Sequence, residues 1–219
     1  MTSRPKPSST KSAVANFNEI CTVRIELRGT DPLIWREVEV PTSITLDVLH
    51  DVIQIAMGWF NCHLWEFKID KQQYGLPMEE DWGTEPRIDA SEMHLRTVLR
   101  PRRTTINYVY DFGDYWEHKL TVSNIRQGEP GVGYPRYITG EWNGPPEDCG
   151  SVQGFYDMLN VRADPTNPNH KEITEWLGDY DPKVIDEEQI QIGLDDIANP
   201  RSIHQDTTFK AERLTGYRP

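Results

Sequence analysis

Hydrophobic and polar residues alternate from the first patterned stretch onward. Cys21, Val23, Ile25 and Leu27 interleave with Thr22, Arg24, Glu26 and Arg28, the period of two that marks a half-buried strand. Gly29-Thr30-Asp31-Pro32 turns the chain into Leu33–Val40, so the two runs predict a hairpin, which Pro41 ends. Thr45 then stands at a helix-cap position, Leu46, Leu49, Ile53 and Ala56 recur at steps of three and four, and Gly58 supplies the stop. This helix is expected to cover the sheet. His63, Trp65, Phe67 and Ile69 then share one face of a strand, with His63 at its entrance. Residues 70–92 read as a loop, followed by a short segment around Leu95, Val98 and Leu99.

The chain is organised around Tyr108–Leu120, which reads as a hairpin with Phe112-Gly113 at the centre of a two-residue turn and Gly113 at positive φ. In that register Asp111 faces Asp114, and Trp116 and His118 share their face with Asn107 and Val109. A four-residue turn is the alternative, and it makes both acids turn caps. Facing carboxylates repel unless a cation or a donor cluster relieves them. The tip therefore either borders a site or points into water. Asp114 and His118 stand roughly 13 Å apart along one strand at about 3.3 Å per residue, too far to share one ion.

Beyond the hairpin, Tyr134 to Gly140 predicts an edge strand, since proline is tolerated there. Asn143–Gly150 is a rigid loop with two prolines. Ser151 caps a helix carrying Phe155, Met158 and Leu159. Asn169 with Glu172 reads as a capping box for a helix that turns Ile173, Trp176 and Leu177 inward, and a final helix spans about Asp186 to Ile197. Strands that precede helices, with hairpins dominating, predict an α+β fold: a mostly antiparallel sheet with helices packed on it. Residues 1–19 (Ser/Pro/Lys-rich) and 199–219 are expected to be disordered tails around a 20–198 domain.

Composition narrows the function. The net charge is −12 over 219 residues, and because both tails are net basic, the domain between them is more acidic still. Such a domain is repelled by phosphate backbones, so nucleic-acid contact is expected only through the tails, and a protein partner is favoured. Cys21, Cys62 and Cys149 are widely spaced, without a Cys-x-x-Cys pair, which argues for a reducing cytoplasm and against a disulfide framework or zinc ribbon. No secretion signal and no membrane span is read.

The candidate chemistry lies at two places. Asp111, Asp114, Glu147 and Asp148 are candidate ligands for a divalent metal, with His118 as a nitrogen donor if the later loop folds over the hairpin. The plainer reading makes His118 a core histidine bonded to a backbone carbonyl beside Trp116, and Glu147 and Asp148 helix caps. Cys149 at a helix start is a candidate nucleophile with His63 or His118 as base, opposed by its acidic neighbours. Trp35, His63, Trp65 and Tyr110 are candidates for a recognition groove, or simply core. Asp111-Phe112-Gly113 matches the kinase metal-binding triplet, but no glycine-rich phosphate loop accompanies it.

Leu33-Ile34-Trp35-Arg36, the Leu46–Met57 helix followed by His63-Leu64-Trp65-Glu66-Phe67, Tyr110–His118 and Gly144–Gly150 resemble, in order and spacing, the plasmid pRiA4b ORF-3-like family. The resemblance covers about residues 20–197 and implies an α+β fold. Some members are insertion-element passengers labelled TnpR-type resolvases. A serine recombinase needs a nucleophilic serine near its N-terminus with an arginine cluster, and none is present here. The chain departs at Ser151, where a second glycine is usual, an exchange expected to matter little unless the backbone there takes a glycine-favouring conformation. The expectation is a non-enzymatic binding or accessory module associated with plasmids or mobile elements, without a known cofactor. The alternative is a divalent-metal-dependent phosphoester hydrolase. Hairpin-tip carboxylates and Glu147 or Asp148 within about 5 Å of a common point in a concave pocket favour the hydrolase, and a wide separation or capping geometry favours the module.

Overall fold

A computed structural model describes residues 19–77 and 87–199. Its strands are β1 (Glu19–Leu27), β2 (Trp35–Pro41), β3 (Trp65–Ile69), β4 (Gln72–Gly75), β5 (Ile88–Asp89), β6 (Thr104–Tyr110), β7 (Trp116–Gln127) and β8 (Arg136–Glu141). They form one sheet in the order β5-β4-β3-β6-β7-β1-β2-β8, antiparallel except at β4–β5. The helices are α1 (Leu46–Met57), α2 (Leu95–Val98), α3 (Ser151–Ala163), α4 (His170–Leu177) and α5 (Glu187–Ala198). The α+β architecture is as the patterning predicts. The expected tails lie outside the described residues, apart from Glu19, which opens β1, and Asn199, which ends α5. Among the described residues no helix is long and apolar enough to cross a membrane.

One face of the sheet is the core. Cys21, Val23, Ile25 and Leu27 of β1 are wholly buried there beside Val38 and Val40 of β2. α1 closes that face with Leu46, Leu49, Val52, Ile53 and Ala56, and each fully buried Leu or Ile contributes roughly 1.5–3 kcal/mol. Gly58 ends α1 with φ 80, the left-handed conformation that suits a residue without Cβ. α5 lies against α1 where Gly193 has no side chain: a Cβ there would stand 2.8 Å from Ile55 Cγ2. The other face is a charged lattice, with Arg24 bonded to Glu26 at 2.9 Å and Lys119 of β7 to the same Glu26 at 3.0 Å.

Several expectations are corrected. The central hairpin pairs Tyr110 with Trp116 and Tyr108 with His118, one residue out of the expected register. Asp111 to Tyr115 form a five-residue loop, with Asp111 at φ 55 and Tyr115 at φ 57, while Gly113 is not at positive φ. The slip puts Trp116 and His118 on the buried face with Tyr108 and Tyr110 instead of with Asn107 and Val109. Residues 70–92 contribute β4 and β5 to the sheet, although 78–86 lie outside the described residues. β3 starts at Trp65, leaving His63 in the preceding loop. The Asn169 side chain makes no cap, and Trp176 is 47% exposed; only Leu177 of α4 is buried.

Ser151 does not cap α3 either. Gly150 occupies that position with φ 82, and Ser151 follows with φ 68. Two successive left-handed residues reverse the chain into the helix, and only the first is a glycine. Ser151 thus stands in the glycine-favouring conformation, the condition under which a serine at this position is expected to matter, and it is strained. Ser151→Gly is expected to raise stability by up to about 1 kcal/mol, the relieved Cβ clash outweighing the added chain entropy. A urea denaturation midpoint that does not rise, at unchanged slope, would count against strain at this position.

Candidate functional site

Three loops meet at one end of the sheet: α1–β3, β6–β7 and β8–α3. Asp111 is fixed by its own backbone. Its N–H donates to Leu64 O at 2.9 Å, its carbonyl accepts from Tyr115 N at 2.6 Å, and its Oδ1 accepts from Gly113 N at 2.8 Å. The Oδ1 bond closes the turn and leaves Oδ2 facing His63 Nε2 at 3.7 Å. Asp148 comes from the β8–α3 loop, and its Oδ1 lies 3.0 Å from the same nitrogen. The His63 ring stands edge-on to Tyr110, with centroids 5.8 Å apart.

One ligand atom from each of His63, Asp111 and Asp148 lies within 4.8 Å of the others. Their side chains grade outward, with 11% of Asp111, 30% of His63 and 64% of Asp148 exposed. An imidazole nitrogen and two carboxylates are ligands for a divalent ion at bonds of about 2.0–2.2 Å. The exposed Asp148 side chain can rotate to close the remaining gap. Asp111 at φ 55 and Asp148 at φ 58 both occupy the left-handed region, which costs an L residue energy and clusters at working sites.

The remaining candidates divide. Asp114 Oδ2 accepts from Gly150 N at 3.0 Å and is a loop clamp. Glu147 accepts a hydrogen bond from the Tyr110 hydroxyl, whose oxygen accepts from Cys62 N at 3.0 Å. Neither joins the cluster, so of the candidate ligands Asp111, Asp114, Glu147 and Asp148 the structure brings together Asp111 and Asp148, with His63 beside them. His118 is wholly buried beside Trp116, with Nδ1 3.0 Å from Trp116 O; burial lowers its pKa to about 3 and keeps it neutral. It is the core histidine of the plainer reading. Cys149 is buried, and burial first, then Asp114, pushes its thiol up to about 12. A buried thiol held this far above its ordinary range carries little thiolate at neutral pH, which weighs against the nucleophile reading.

The proposed groove disperses as well. Trp65 and Tyr110 are core residues, and Trp116 packs on Trp59. Trp35 lies on the charged face under the Arg24 guanidinium, 3.7 Å from its ring centroid. Of the four, His63 lies within the loop cluster and Tyr110 reaches it from the core through its hydroxyl. In sequence His63 reads as a strand residue, a base or a groove residue and not as a ligand candidate, because Asp148, its hydrogen-bond partner, lies 85 residues away.

The profile of the plasmid pRiA4b ORF-3-like proteins matches residues 19–189. The chain belongs to this family. An uncharacterized protein, y4hQ, from Sinorhizobium fredii is 37% identical over 181 residues, which is 80% of this chain and 91% of that one. The crystal structure of MM3350, a protein of unknown function from Methanosarcina mazei Go1, superposes with a TM-score of 0.71 at 31% identity. It covers 78% of this chain and 97% of its own. The aligned region accounts for nearly all of both relatives.

Proposed function

We propose that this pRiA4b ORF-3-like protein is a binding module that takes up a divalent cation at His63, Asp111 and Asp148 and offers the loop face around it to a protein partner in the setting of plasmids or mobile elements. The observation that carries the reading is the convergence of one imidazole and two carboxylates, from three loops, within 4.8 Å. The nitrogen ligand favours Mn²⁺ or Zn²⁺ over Ca²⁺ and Mg²⁺, which prefer all-oxygen shells.

A second reading, a phosphoester hydrolase, is favoured by two features, the first being that Asp111 of the hairpin tip and Asp148 converge within the separation expected of such a site. The second is that three protein ligands leave coordination positions for water, and a bound ion lowers that water's pKa toward neutrality. It no longer draws on Asp114 or Glu147, which are engaged elsewhere.

The test is thermal unfolding of the full chain in EDTA, then with Mn²⁺, Zn²⁺, Mg²⁺ or Ca²⁺, beside Asp111→Asn/Asp148→Asn. The amides keep the turn bond to Gly113 and tolerate the left-handed backbone. An ion at about 100 times its dissociation constant stabilises the wild type by roughly 2.7 kcal/mol and leaves the double variant unchanged. If no ion raises the wild-type midpoint, the cation reading fails. Turnover of a nitrophenyl phosphodiester that needs the same ion and both aspartates would select the hydrolase.

A further inference from the structure

A closed ring of hydrogen bonds lies beneath the site. His50 of α1 is buried and stacked on Trp65, with ring centroids 4.0 Å apart and planes within 12°. Its Nε2 is 2.8 Å from Asn61 Oδ1, and its Nδ1 is 2.7 Å from the Tyr108 hydroxyl. Asn61 Nδ2 donates to Asp51 Oδ1 at 3.4 Å, which identifies the amide oxygen as the atom facing His50. An amide oxygen only accepts, so His50 carries its proton on Nε2 and accepts from Tyr108 on Nδ1. The Tyr108 oxygen accepts from Gln54 Nε2 at 3.1 Å, and Gln54 Oε1 accepts from Asn61 N at 3.0 Å. Each link runs in one direction, and the four close on one another.

We propose that His50 is a positioning residue: through Asn61 it holds residues 61–63 in the conformation that presents His63 to Asp111 and Asp148. This rests on the reading of those three residues as the working site. Asn61 itself is at φ 58, a conformation that asparagine tolerates and that its two core bonds hold in place. Cys62 N is anchored on the Tyr110 hydroxyl, and the His63 ring stands on the same tyrosine. The loop thus reaches the surface at His63 with its preceding residues tied to β6 and α1. Groups that orient a ligand from behind are worth about 10–100-fold in metal affinity.

The experiment uses the full chain as wild type, His50→Phe and His50→Gln. Phenylalanine keeps a flat ring against Trp65 and deletes both hydrogen bonds, whereas the glutamine amide can donate to Asn61 and accept from Tyr108. Two readouts are taken: affinity for Mn²⁺ and Zn²⁺, and the imidazole ¹H–¹⁵N spectrum of the metal-free chain, with unfolding in EDTA as the measure of folding. In His50→Phe the affinity drops about 10–100-fold and the His63 ring signals shift. Both return toward wild type in His50→Gln. Asn61→Gly, which accepts φ 58 freely and cuts the same link from the other side, reproduces the loss and serves if His50→Phe does not fold. His63 signals that stay at their wild-type positions in His50→Phe and Asn61→Gly overturn the proposal. If His63 follows His50 but wild type takes up neither ion, positioning stands and the cation reading alone falls.

Discussion

Replacing Arg36 by methionine is expected to remove about 3–5 kcal/mol of stability, because buried backbone carbonyls lose a donor at about 1–3 kcal/mol each where they stay dry. Arg36 is 1% exposed, and its hydrogen bonds among the described residues go to backbone carbonyls rather than to a carboxylate. Its Nε donates to Ala56 O at 2.9 Å, and its Nη1 to the carbonyls of Trp35, Glu141 and Trp142 at 2.8, 3.3 and 2.6 Å. The Ala56 carbonyl belongs to the last turn of α1, the negative end of the helix dipole, so the cation is favoured there. Burial lowers the guanidinium pKa only to about 10, and it stays charged at neutral pH. Methionine has comparable volume but leaves those carbonyls without a donor, each costing about 1–3 kcal/mol if it stays dry. For a domain of this size the loss corresponds to a midpoint drop on the order of 10 °C. Arg36→Lys keeps a charge but cannot reproduce the fork, so it is expected to fall between the two. Urea unfolding of the three proteins decides, and a methionine variant as stable as wild type would falsify the claim.

Acid is expected to weaken the fold well before its carboxylates titrate. Burial holds His50 at about 4 and His118 at about 3, against about 6.5 for an unfolded histidine. Both are neutral when folded and bind protons on unfolding, so the unfolded chain is favoured as pH falls. The sign follows from depressed pKa values: the stabilisation is complete above about pH 6.5 and is lost as pH falls toward 4 for His50 and 3 for His118. Between pH 7 and pH 5 the pair costs about 4 kcal/mol, on the order of 1.36 kcal/mol per proton per pH unit. His50→Gln removes one of the two protons, so its urea-unfolding free energy is expected to fall with pH about half as steeply. A wild-type minus variant difference that stays constant from pH 7 to pH 5 would show that His50 is not held neutral in the fold.

What the sequence disclosed depended on distance along the chain. β1, β2, α1 and the αL stop at Gly58 follow from alternation, helical spacing and one glycine, all local, and they stand where expected. The central hairpin was legible as a hairpin but not in register, because its loop length rests on Asp111 and Tyr115 both entering the left-handed region. Two of the four metal candidates, Asp111 and Asp148, converge, and their nitrogen partner was recognised as notable for another reason. No local pattern joins three loops. Arg36 left a trace that went unread: it sits between Ile34 and Val38 on the apolar side of an alternating strand, where a charge needs a buried reason.

The sheet order also sets a timetable. β1 lies between β2, its neighbour in sequence, and β7, whose residues are about a hundred positions downstream. At roughly 5–20 residues per second, a chain leaving the ribosome carries the first hairpin for some 5–20 seconds before the second partner of β1 is synthesised. During that interval one edge of β1 presents bare N–H and C=O groups to solvent, the kind of edge on which foreign strands assemble. Arg24, Glu26 and Arg28, later tied into the outer lattice, then act as gatekeepers that keep a nascent chain from recruiting its neighbours.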